Sequence, residues 1–141
     1  MSTPLIRWKV SFASPPARVH AALATEAGRR AFWAIRAEER DGAIQFVFPN
    51  GVRGVAPVRL SEPPHRFELE YFGAYTRFEI EPAGKGAILT LTAEDVPAEE
   101  WNEVHAGWVA VLLAMKAYVD FGIDLRNGDA SRSWDAGFVD P

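Results

Sequence analysis

Few side chains in this chain have the type and spacing needed to run a reaction. The three histidines, His20, His65 and His105, form no HxxxH pair that would present two imidazoles to one metal ion. The absence of cysteine excludes disulfides, thiolate nucleophiles and Cys-bound zinc. No G-x-S-x-G elbow and no G-x-G-x-x-G loop occurs. The triplet Gly84-Lys85-Gly86 falls in a hairpin turn, not between a strand and a helix where a phosphate loop belongs. No catalytic residue, metal or cofactor is assigned on this basis.

Three polar groups are worth following. His65 sits beside two prolines and reads as solvated, whereas His20 and His105 lie on helices. Of these, His105 is the candidate, since it could flank a cavity mouth, where a neutral imidazole can serve as a base. Arg53 would suit a ligand carboxylate or phenolate if it faces inward. Tyr71 is a phenol on an inward face, and a buried phenol needs a hydrogen-bond partner, either Thr76 opposite it or a ligand. The acids Glu99, Glu100 and Glu103 are explained by the positive end of a helix.

At 141 residues, with 48% apolar and 24% charged residues, the chain is of a size and composition for one globular domain with its own core. A net charge of −4 with no basic block leaves nucleic acid no electrostatic footprint. The opening MSTPLIRWKV lacks the layout of a signal peptide, and no run reaches the ~20 apolar residues that span a bilayer before Lys116 and Asp120 intervene. The expected setting is cytoplasmic, without nucleic acid or a membrane span as partners.

The elements that would position these groups follow from periodicity. Residues 5–12 alternate, with Ile6, Trp8, Val10 and Phe12 on one face, so they form a strand. Ser14 before Pro15 reads as a helix N-cap, and Thr25 as the cap of a second short helix ending near Trp33. Asp41-Gly42 marks a hairpin that pairs Glu39 with Ile44 and Ala37 with Phe46. A Gly73-Ala74 turn pairs Leu69 with Phe78, Phe67 with Ile80 and Glu70 with Arg77. A hairpin over 82–86 aligns Ile80 with Leu89 and Phe78 with Leu91. Between 48 and 53 two registers compete: a two-residue Asn50-Gly51 turn turns Arg53 inward, and a loop that includes Pro49 turns it outward. Pro57 requires a bulge or an unpaired side. From Pro97 a helix of roughly 25 residues, near 40 Å at 1.5 Å per residue, repeats Trp101, Trp108, Leu112, Met115 and Val119 and ends at Gly122.

The succession of one strand, two short helices, six antiparallel strands and a long C-terminal helix resembles the helix-grip fold of the START and birch-pollen-allergen (SRPBCC) superfamily. Within it, the chain is most similar to the family named after the activator of heat-shock-protein-90 ATPase. The matching stretches are ASPPARVHAAL (13–23), PPHRFELEYF (63–72), RFEIEPAGKGAILTLT (77–92) and AGWVAVLLAMKAYV (106–119), and the tail DFGIDLRN…SWDAGFVDP looks like an extension of bacterial members. His20 departs from the aromatic residue usual there.

The resemblance implies an α+β fold of order β-α-α-β-β-β-β-β-β-α, in which a curved sheet of about seven strands grips the long helix. It also implies a cavity between them of the kind used for lipids, steroids and polyketides. The expected domain is 1–124, with 125–141 as an extension docking on the domain or on a partner subunit. The expected binding residues are Trp33, Phe46, Phe48, Arg53, Phe67, Leu69, Tyr71, Phe78, His105, Trp108, Leu112 and Met115, whose rings could equally fill a core. The leading expectation is a binding protein for a hydrophobic or amphipathic small molecule. A regulator of a heat-shock ATPase, a polyketide cyclase-like enzyme and a homodimer are the other outcomes in view.

Overall fold

Alternation makes the sheet one-sided. In the computed structural model, which describes residues 5–141, seven strands form a single antiparallel sheet in the order β1-β7-β6-β5-β4-β3-β2. Residues 1–4, part of the opening stretch read for a leader, lie outside the described residues. The strands are β1 (Ile6–Phe12), β2 (Arg36–Arg40), β3 (Ala43–Val47), β4 (Arg53–Glu62), β5 (Arg66–Tyr71), β6 (Ala74–Ala83) and β7 (Gly86–Glu94). Helices α1 (Pro16–Ala24) and α2 (Glu26–Phe32) follow β1, and α3 (Trp101–Phe121) follows β7. This is the α+β helix-grip arrangement, with Trp108, Leu112, Met115 and Val119 of α3 buried in one cluster with Phe67, Leu69, Phe78, Leu89 and Leu91 of the sheet.

Two hairpins adopt the expected registers: Ala37 faces Phe46 across β2–β3, and Ile80 faces Leu89 with Phe78 opposite Leu91 across β6–β7. The β5–β6 hairpin differs. Its turn residues are Phe72 and Gly73, both at positive φ (49° and 81°), so Leu69 meets Thr76, Phe67 meets Phe78, and Arg77 meets Glu68. Arg77 bonds Glu94 at 2.6 Å and not Glu70, which pairs with Arg59 at 3.1 Å. The shift amounts to two residues in the pairing sum, so every side chain keeps its face. Phe72 accepts left-handed backbone because its ring lies on Gly54 of β4, where a Cβ would come within 2.7 Å of it. Between β3 and β4, Phe46 pairs with Gly54 and Val47 with Arg53, the register that places Pro49 in the loop. A bulge between Val58 and Leu60 follows Pro57, as its missing donor requires.

Thr25 caps α2 by accepting from the Gly28 N–H at 3.1 Å. Ser14 does not cap α1. Its hydroxyl and N–H, with the Ala13 N–H, donate to the carboxylate of Asp120 at 2.8 to 3.1 Å, fastening the end of α3 to the start of α1. The long helix is also shorter than its spacing suggests. Ala98–Glu100 form a 3-10 turn, and the 21 residues of α3, about 32 Å long, end at Gly122 with φ 65°.

Arg29 of α2 is 1% exposed and bonds only backbone: Nε and NH2 donate to the Ala37 carbonyl and NH1 to that of Leu23. It thereby ties α1, α2 and β2 into one unit. Side chains of the C-terminal segment, a strap, bond to earlier parts of the chain. Arg126 donates to the carbonyls of Arg30 and Ala34, Asn50 donates to Asp135, and Trp134 Nε1 donates to Glu103.

Candidate functional site

Under the first half of α3 the inward rings of β3, β5 and β6 meet those of α2 and α3. Trp33, at the end of α2, lies 4.8 Å from Phe46, 5.5 Å from Tyr71, 5.9 Å from Phe78 and 5.8 Å from Trp108, centroid to centroid. Trp108 is also 5.1 Å from Tyr71. Toward the surface the series continues through Phe48, stacked on Phe46 at 5.7 Å, to Phe72, which is 47% exposed. The rings form an uninterrupted ladder from solvent to the buried Phe78. They occupy the space between sheet and helix, so this nest is filled by aromatic side chains.

One polar link lies inside it. Trp33 Nε1 donates to the Tyr71 hydroxyl at 3.3 Å. Thr76, the expected partner, stands opposite Leu69 and donates to the Ala74 carbonyl instead. An indole N–H only donates, so the Tyr71 oxygen is the acceptor; among the described residues no bond is donated by this hydroxyl in turn. Burial raises the Tyr71 phenol above its ordinary range, the Trp33 bond opposing, so the group stays a neutral donor facing apolar rings.

Of the expected binding residues, Trp33, Phe46, Phe48, Tyr71, Phe78 and Trp108 come together in the nest. Phe67, Leu69, Leu112 and Met115 are buried in the core around it. Two polar candidates lie elsewhere. Arg53 is exposed at the start of β4, on the face away from Phe46, because the three-residue loop fixed that register. His105 is held between two indoles, 4.6 Å from Trp101 and 5.4 Å from Trp8. Its Nε2 accepts from Trp8 Nε1 at 3.0 Å. His105 therefore joins α3 to the edge strand β1. His20 is buried and donates to the Arg66 carbonyl at 3.0 Å, its ring edge-on to Phe67, so the polar corner it introduces is satisfied. No group of three or more His, Asp or Glu able to hold a metal occurs among the described residues.

Residue spacing did not point to one open feature of the fold. A cleft of about 700 Å³ lies between α2 and the strap, with Ala27, Arg30, Ala31, Ile35 and Pro49 on one side and Arg126, Gly128 and Ala130 on the other. Its residues come from both halves of the chain, from Ala27 to Pro141, and are mostly small, so neither periodicity nor a motif marks them. A second cleft, of about 190 Å³, borders His65 and Arg66.

The order of elements and the grip of the sheet on α3 agree with what known proteins show. Residues 13–120 match the family described as Activator of Hsp90 ATPase homolog 1-like protein. Among solved structures, protein SSP2350 of Staphylococcus saprophyticus superposes with a TM-score of 0.77 at 19% identity, over 90% of this chain and 99% of that one. The Aha1 dimer of Colwellia psychrerythraea gives 0.76 at 17% identity, over 85% and 98%. DynU16, from the dynemicin biosynthetic locus, gives 0.75 at 17% identity, over 90% of this chain and 56% of its own. No curated protein matches the chain.

Proposed function

Because the chain belongs to the Activator of Hsp90 ATPase homolog 1-like family, we propose that it is a binding domain of the helix-grip type, taking a flat hydrophobic or amphipathic small molecule at the aromatic nest. The observation that carries this reading is the Tyr71 hydroxyl, a neutral donor without an acceptor among the rings of Trp33, Phe46 and Trp108. Tyr71 is half-buried, and a hydroxyl donor left unpaired away from water costs at most roughly 1–3 kcal/mol. A ligand oxygen recovers that cost, and the ligand's apolar body replaces ring–ring contact with ring–ligand contact of similar worth. Phe48 and Phe72, the outer rungs of the ladder, are the rings that turn aside. The test is titration with the neutral dye N-phenyl-1-naphthylamine, followed by native mass spectrometry. Saturable dye emission and a one-to-one complex are expected; neither signal overturns the reading.

The outer face of α3 favours a second reading, as an interaction protein. Val109, Leu113 and Phe121 are exposed there, and no full charge occurs between Glu103 and Lys116. By length and composition the helix also meets the requirement for a membrane span, but its inner face is committed to the core. A heat-shock ATPase is the partner the family description names, and a second copy is the one suggested by the Colwellia dimer. Light scattering and an ATPase assay, each with Leu113→Glu as control, distinguish the two. A monomer without effect on the ATPase removes both.

For an enzymatic reading, the candidates stand apart among the described residues. Tyr71 faces the nest, His105 is bonded to Trp8 and Arg53 stands in solvent, so the three acid–base candidates are not brought together.

A further inference from the structure

The cleft beneath the strap lies at the rim of the nest. Arg36 pairs with Val47, and continuing that register one step brings Ile35 beside Phe48, the second rung of the ladder. Ile35 is 49% exposed and lies on the cleft wall with Pro49, the residue after Phe48. Ala27 and Ala31, four apart on α2, extend the same apolar floor. Ile35 and Pro49, beside Phe48 across the hairpin and along the chain, are the residues through which the cleft adjoins the nest. The cleft's volume, about 700 Å³, falls within the roughly 300–1,000 Å³ of small-molecule sites.

The charges along the cleft are unequal in their freedom. Arg126 is occupied: its guanidinium holds the Ala34 carbonyl at 3.1 Å, the Arg30 carbonyl at 2.6 Å and both oxygens of Asp124 at 2.9 and 3.0 Å. That hydrogen-bonded pairing holds the Asp124 carboxyl below the usual carboxylate range, so the two form a neutral wall. Arg30 is free by comparison. Its side chain is 59% exposed, and its nearest acid, Glu26, is 3.8 Å away, beyond hydrogen-bond length. The cleft thus joins an apolar floor to one exposed guanidinium, held only by the long ion pair with Glu26.

We propose that this cleft binds the anionic end of an amphipathic ligand, a carboxylate or sulfonate on an apolar body, and that Arg30 is the residue that reads the charge. The proposal rests on the aromatic nest holding the apolar part. A planar guanidinium with several open donors suits such a group, and the exposed setting keeps the gain moderate.

Two dyes of similar shape separate the parts: neutral N-phenyl-1-naphthylamine and anionic 1-anilinonaphthalene-8-sulfonate. They are titrated against the full chain and against Arg30→Ala and Arg30→Lys. The expected result is a three- to tenfold loss of affinity for the sulfonate in Arg30→Ala, partial recovery in Arg30→Lys, and no change for the neutral dye. Unchanged or increased sulfonate affinity in Arg30→Ala, with the neutral dye still bound, overturns the role of Arg30 and leaves the nest standing. Equal weakening of both dyes overturns it as well, since Arg30 then acts through the fold. Failure of both dyes to bind the unaltered chain removes the nest and this proposal together.

Discussion

Two neighbouring regions share α2 as their common wall and have opposite characters. On one side lies the nest, closed by rings with a single polar link between Trp33 and Tyr71. On the other lies the cleft, open and floored by alanines, with a mobile-length cation at its edge. Consecutive residues show the division. Arg29 points inward, is 1% exposed and spends its donors on carbonyls, while Arg30 points outward and makes only a 3.8 Å ion pair with the exposed Glu26. Burial lowers the Arg29 guanidinium from its usual range, with Glu39 and Glu26 opposing, so the inner arginine is a structural clamp and the outer one a recognition group. Residue type does not separate these roles; the helix face does.

Four substitutions break or sharpen this contrast, beginning with the largest effect. Trp108→Ala removes the ring that meets Trp33, Tyr71 and Phe78 and should destabilise the fold by about 4 kcal/mol in urea unfolding. Arg29→Met leaves the carbonyls of Leu23 and Ala37 without their donors and should cost about 3 kcal/mol. A loss as small as that of an ordinary surface substitution would refute the clamp.

Asp120→Asn weakens the junction of α3 with α1 by about 1–2 kcal/mol at neutral pH. Burial alone would raise this carboxyl, but the bonds from Ala13 and Ser14, with Lys116 nearby, hold it below the usual range. A lowered folded value means that its contribution is present above the unfolded carboxyl value of about 4 and is lost as pH falls through the folded value. The variant should therefore lose part of the acid-side slope of stability against pH, as equilibrium unfolding at several pH values would show. The smallest change in stability, about 1 kcal/mol or less, is expected for Tyr71→Phe, which removes the acceptor for Trp33 but also the unfilled hydroxyl. Its larger effect should be on binding of an oxygen-bearing ligand. Equal affinity in the variant would show that the phenol does not contact it.

Periodicity carried most of the fold because most of the fold is periodic. Inward faces alternate along β5, β6 and β7, so even a turn expected at Gly73-Ala74 and found at Phe72-Gly73 left Phe67, Leu69, Tyr71 and Phe78 facing the helix. Long-range polar contacts were not legible. Ser14 has the local surroundings of a helix cap, and only the fold brings Asp120 to it from 106 residues away. Arg29 is one of several arginines by composition, and nothing local marks it as buried. The nest could be read from its ring types, since aromatic residues on an inward face declare themselves. The cleft could not, because alanines on one side of a helix meet a strap from the far end of the chain.

Four of the five tryptophans divide between inside and outside. Trp33 and Trp108 are enclosed by other rings, whereas Trp8 is 41% exposed and Trp134 rides on the strap. Indoles in apolar surroundings emit at shorter wavelengths than indoles in water, so the protein carries its own spectral labels for inside and outside. Lifting the strap would redden the light from Trp134 while the enclosed pair kept its colour, reporting movement of the outer wall without any attached dye.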